Sequence, residues 1–140
     1  MLLLLIFLVW FYTNSLVGVN PTSKDYLQQL KEEVEKEGYE TDFFVISGKR
    51  WEVDNFILNK IGQAVSNSQH LEGNAIDILV LDVNNDGKSN AEDVDIIYRI
   101  LDEKIIRENG GVGTYKNAKR WHTRQMVHFD CRGSHARWHR

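Results

Sequence analysis

The order of periodic segments in this chain predicts an α+β fold, a small antiparallel sheet with flanking helices. Helix-period and strand-period stretches follow one another in mixed order, and the last two strand-like stretches are joined through a glycine-rich turn, "ENGGVGTYK". At 140 residues the chain is long enough for one domain with a real core.

The elements read as follows. Residues 1–20 open with "MLLLLIFLVWFY", apolar without a break and of signal-core length, so this segment is expected to be a signal peptide or a membrane anchor through residues 2–19. No basic residue precedes the run, and no cysteine follows it as a lipoprotein signal would need; a buried first helix or strand is the alternative. Residues 21–140 then form the domain. Asn20 and Pro21 carry turn chemistry, Thr22 or Ser23 can cap a helix running to about Glu37, and Gly38 ends it. Tyr26, Leu27, Leu30 and Val34 form its apolar face. "TDFFVISG" reads as a short buried strand and "WEVDNFILNKIGQAV" as a second helix, with Val53, Phe56, Ile57 and Ile61 inward. "AIDILVL" is a strand whose alternation puts Ala75, Asp77 and Leu79 on one face and Ile76, Ile78 and Val80 on the other. "AEDVDIIYRILDEKII" is a helix with Val94, Ile97, Leu101 and Ile105 on one side. "QMVHFDCRG" is expected to be the last strand, with His128 and Asp130 on one face and Val127 and Phe129 on the other.

Composition narrows the function. A net charge of -3 and a pI near 5.9 give no reason to expect nucleic acid as a partner. Basic residues cluster late, in "YKNAKRWHTRQ" and "CRGSHARWHR", which suits an anionic substrate group or simply a solvated basic end. Cys131 is the one cysteine, so no internal disulfide can form, and "VHFDCRG" carries no cysteine-protease signature.

Chemistry concentrates in two patterns. An aspartate among Ile76, Ile78 and Val80 is costly to bury unless it is paired or binds a cation. His70, Asp77 and His128 make the N,N,O set that suits a catalytic zinc with a fourth position left for water. The second pattern, "DVNNDGKSNAED", has calcium-loop spacing. Asp82, Asn84 and Asp86 sit at positions one, three and five, Gly87 at the sharp turn, Lys88 offers its carbonyl at seven, and Asp93 stands at twelve. An acidic turn capping the next helix, with Asn90 as N-cap, accounts for Asn90 to Asp93 equally well.

"SQHLEGNAID" resembles the Ser-x-His-x-x-Gly-x-Ala-x-Asp motif of the zinc D-alanyl-D-alanine carboxypeptidases, whose superfamily includes vancomycin-resistance dipeptidases, phage endolysins and the Hedgehog signalling domain. "SGKR" resembles the family's Ser-Gly-aromatic-Arg element, with Lys49 in place of the aromatic. "GGVGTY" followed by "MVHFDCRGSHARW" resembles the end of one branch. The resemblance spans about Phe43 to Trp138 and implies an exported zinc peptidase acting on peptidoglycan stem peptides, placed in the periplasm, the cell envelope or on a membrane. It implies zinc on His70, Asp77 and His128, and a substrate carboxylate on Arg50. Many relatives carry an acidic residue three before the last histidine ligand; here that position is Gln125, and the acid is Asp130. Asp130 is expected to act as the general base, as a partner orienting a histidine, or as a ligand. The alternative is a catalytically silent zinc- and calcium-binding module with a Hedgehog-like fold. The Asp at position twelve resembles dockerin loops, but dockerins need two loops and this chain has one, so cohesin is not expected as a partner.

Overall fold

The structure is a computed structural model that describes residues 3–4, 16–50 and 68–140. The helix expected over 51–65 and most of the apolar leader lie outside the described residues. Among the described residues no helix is long and apolar enough to cross a membrane. The chain packs against the domain before residue 21: Val19 is buried in the core, and Leu16 lies against it.

Helix α1 spans Pro21–Lys36. Its cap is Asn20, whose side chain accepts from the Thr22 amide at 2.9 Å, and not Thr22 or Ser23. Ser23 is instead on the buried side, where its hydroxyl donates to the Asn74 carbonyl at 2.6 Å. Pro21 suits the first helical position because its missing N–H has no partner there in any case. Leu27, Leu30 and Val34 enter the core as their spacing predicts.

Among the described residues five strands form one sheet: β1 Phe43–Ser47, β2 Ala75–Val80, β3 Gly111–Thr114, β4 Met126–Asp130 and β5 Ala136–His139, in the order β1-β2-β4-β3-β5. The β1–β2, β2–β4 and β3–β4 pairs are antiparallel, whereas β5 adds in parallel beside β3. The strand expected to be last is therefore followed by another, which closes the β3 edge. Helix α2, Ala91–Ile100, runs into a π-helical turn at Leu101–Ile106, where a single regular helix was expected. A short helix α3, Trp121–Arg124, precedes β4.

Ile76, Ile78, Val80, Val127, Phe129 and Val112 share one core with Leu30 and Val34 of α1 and Val94, Ile97 and Ile100 of α2. Burying each such side chain contributes about 1.5–3 kcal/mol. Register decides what stands on the opposite face. Ser47 pairs with Asp77, Asp77 with His128, His128 with Gly113 and Gly113 with Trp138, so one row of residues crosses all five strands.

Candidate metal centre

Three side chains meet on that row. His128 Nδ1 is 2.7 Å from Asp77 Oδ1, His70 Nε2 is 3.1 Å from Asp77 Oδ2, and the two histidine nitrogens are 3.3 Å apart. All three residues are buried, and among the described residues they are the only such group of three whose ligand atoms converge. His70 arrives from the turn before β2, while Asp77 and His128 face each other across the β2–β4 pair. The outer nitrogens are already engaged. His70 Nδ1 lies 2.6 Å from the Gly48 carbonyl, and His128 Nε2 lies 3.1 Å from Asp130 Oδ2. A carbonyl can only accept, so His70 must donate there and turn a lone pair inward. Asp130, as a carboxylate, likewise accepts from His128 Nε2.

Three side chains thus converge on one point, and such a cluster could hold a cation at its centre. Ligands about 2.0–2.1 Å from a tetrahedral zinc stand about 3.3 Å apart; two of the spacings here, 3.1 and 3.3 Å, are near that, and the His128–Asp77 spacing of 2.7 Å is shorter. The donor set and its outer hydrogen bonds fit zinc.

The electrostatics agree. Burial alone would raise the Asp77 carboxyl, but His70 and His128 beside it hold it well below the usual carboxylate range. Burial pushes His70 down, toward the neutral ring that has a lone pair to give. Burial also acts against a charge on His128, yet hydrogen bonds to Asp130 and Asp77 outweigh it and raise this histidine. With a carboxylate at each nitrogen, His128 favours positive charge at Nδ1, whether from a proton or a metal.

Arg50 reaches the same carboxylate. Its Nη2 donates to Asp77 Oδ2 at 2.8 Å, and its Nε donates to Ser47 Oγ at 3.1 Å. The structure therefore places the expected substrate-binding arginine against the Asp77 carboxylate of the candidate metal centre.

Asp130 is fully buried and accepts five hydrogen bonds. Oδ1 takes the Gly111 amide at 3.0 Å, the Arg132 amide at 3.1 Å and Arg132 Nε at 2.8 Å; Oδ2 takes Arg132 Nη2 at 2.6 Å and His128. Burial would raise its pKa, but Arg132 and then His128 hold it well below the ordinary range. This geometry suits a group that orients His128; it suits a general base poorly, because no oxygen is left to take a proton. Gln125 is also engaged, its amide donating to the carbonyls of Val80 at 3.3 Å and Asn90 at 3.1 Å.

The acidic loop is closed by its own backbone. Asp82 accepts from the amides of Asp86 and Gly87, Asn84 from Asp86, and Asp86 from Lys88. Gly87 has φ +85°, the left-handed conformation its position in the pattern requires. Asp93 is buried and accepts from the amides of Val83, Asn84 and Asn90, the last completing a capping box with Asn90. Helix capping accounts for Asp93 without an ion.

The closing motif holds Arg132 and Trp138 but gave neither a role; in the structure the Trp138 ring lies 5.2 Å from that of His128, and Arg132 grips Asp130. The alternation in "ARWH" is too short to announce a strand.

No family model matches the chain, and no curated protein matches it. Two solved structures are similar in fold. One is the L-Ala D-Glu endopeptidase ChiX of Serratia marcescens, at 17% identity and TM-score 0.53, covering 83% of this chain and 82% of that one. The other is the LD-carboxypeptidase LdcB, at 16% identity and TM-score 0.49, covering 81% of this chain and 60% of that one. The likeness to ChiX supports the α+β fold.

Proposed function

We propose that this chain is a zinc peptidase that hydrolyses peptidoglycan stem peptides outside the cytoplasm. The observation that carries the proposal is the buried meeting of His70 Nε2, His128 Nδ1 and Asp77, with both outer imidazole nitrogens already engaged. The likeness in fold to ChiX, named as an L-Ala D-Glu endopeptidase, supports the substrate class. When bound, zinc supplies Lewis acidity and makes a nucleophile of water at neutral pH. Asp130 holds the His128 ring in the tautomer that faces Nδ1 inward. Arg50, partly exposed beside Asp77, offers a guanidinium to a substrate carboxylate. The test is to incubate the purified protein with peptidoglycan fragments and follow the products by mass spectrometry, with chelator and then with restored zinc. Cleavage of a stem-peptide bond, lost with chelator and regained with zinc, is expected.

A second reading is the silent metal-binding module. It is favoured by the engagement of Gln125 and Asp130, which leaves neither side chain free to act as a base. A protein that holds zinc one to one yet cleaves no stem-peptide bond would decide for it.

We also propose that Asp82, Asn84, Asp86 and the Lys88 carbonyl hold calcium, with Asp93 shaping the loop from inside. Asp82→Ala should then lower the melting temperature in calcium and change it far less in excess chelator, because a ligand stabilises only the state that binds it. Equal loss in both conditions would reduce the loop to a helix cap.

A further inference from the structure

The two faces of β5 carry different tasks. Arg137 is anchored toward the π-helical turn: Nε donates to Asp102 at 2.6 Å, Nη1 donates to the Gly110 carbonyl at 2.7 Å, and Nη2 donates to the Arg107 carbonyl. Neighbouring residues on a strand point to opposite faces, so anchoring Arg137 on one side turns Trp138 to the other. There Trp138 stands opposite Gly113 in the parallel register. A Cβ on Gly113 would fall 2.0 Å from Trp138 Cε2 and 2.2 Å from Nε1, so the indole occupies the space a β3 side chain would need. Its ring is tilted 48° against His128, and the Arg132 guanidinium lies 5.5 Å from its centre. Arg132 is also the partner of Asp130, so the indole lies against His128 and against the arginine that grips Asp130.

Hydrogen bonds at Nδ1 and Nε2 hold the His128 ring along the line through its nitrogens. They do little to stop the ring from tipping about that line; a contact against the ring does. We propose that Gly113 and Trp138 act as one positioning unit for His128, the bare backbone of Gly113 admitting an indole that fixes the imidazole plane and keeps water from its hydrogen bond to Asp130. The consequence for metal binding rests on the reading of His128 as a zinc ligand; the effect on the ring does not.

The experiment uses full-length protein labelled with ¹⁵N-histidine, with two readouts: the His128 Nε2–H resonance at neutral pH, and zinc affinity by competition with a chelating dye. The parent should show a slowly exchanging Nε2–H, and Trp138→Phe should keep it. Trp138→Ala and Gly113→Ala should each lose the signal and bind zinc about tenfold or more weakly, the usual loss when a partner of a metal ligand is removed. The double variant should be no worse than Trp138→Ala, since the alanine at 113 then has no indole to displace. A folded Trp138→Ala that keeps both signal and affinity would overturn the proposal, as would losses that simply add. Should Trp138→Ala fail to fold, Gly113→Ala decides with the indole retained: unchanged signal and affinity there would overturn it. A parent that binds no zinc would instead refute the metal reading, and the Nε2–H signal would still decide this one.

Discussion

His128→Ala is expected to abolish stoichiometric zinc binding at neutral pH, and His70→Ala to do the same. Each removes one of three converging ligands and leaves an N,O pair. The loss should exceed that of an ordinary ligand deletion at His128, because this ring also separates two carboxylates, with Asp77 at Nδ1 and Asp130 at Nε2. Removing it takes one partner from each buried carboxylate, leaving Asp77 with Arg50 and His70, and Asp130 with Arg132 and the Gly111 amide. His122→Ala is the control: it lies exposed on α3, outside the cluster, and should bind zinc as the parent does. Metal content after dialysis measures all three, and hydrolysis should vanish with the metal. Unchanged zinc stoichiometry in either site variant would refute the centre.

Asp130→Asn carries the second large effect. The carboxylate accepts from five donors, and an amide has one oxygen for them; its nitrogen must face a donor. His128 Nε2–H or Arg132 therefore loses a partner. Zinc affinity should fall about 10- to 100-fold, as for other residues that orient metal ligands, and stability by about 1–3 kcal/mol for the buried group left unsatisfied. Because the folded pKa lies well below the ordinary 3.8, this stabilisation is fully present above that pH and is lost only as the solution becomes more acid. Comparison at neutral pH therefore reads the whole effect. If the rate falls while zinc is retained, Asp130 is the general base after all; if neither changes, it plays no part in the centre.

Much of the site was legible because strand alternation reports which face a residue occupies. Asp77 among isoleucines and His128 between Val127 and Phe129 could each be placed on the face away from the apolar core, and the structure puts them opposite one another. The role of Asp130 was not legible. Its face was right, but its chemistry depends on Arg132 and on the Gly111 amide, 19 residues away, and no local pattern announces a hydrogen bond of that range. The helix cap fell on Asn20 because Ser23, an equally good capping type, is drawn into the core by Asn74, 51 residues on.

The sequence by itself determined the fold class and the presence of the helices near residues 21 and 91, though not their ends. Those properties follow from short-range periodicity and residue type, whereas the grouping of His70, Asp77 and His128 drew on the resemblance of their motifs to a known family. Tertiary structure alone decided that β4 lies between β2 and β3, that β5 joins in parallel, and that Trp138 meets His128 above a glycine. A backbone ladder bonds equally well to many partners, so strand order and ring contacts are chosen by packing of the whole domain and not by any one segment.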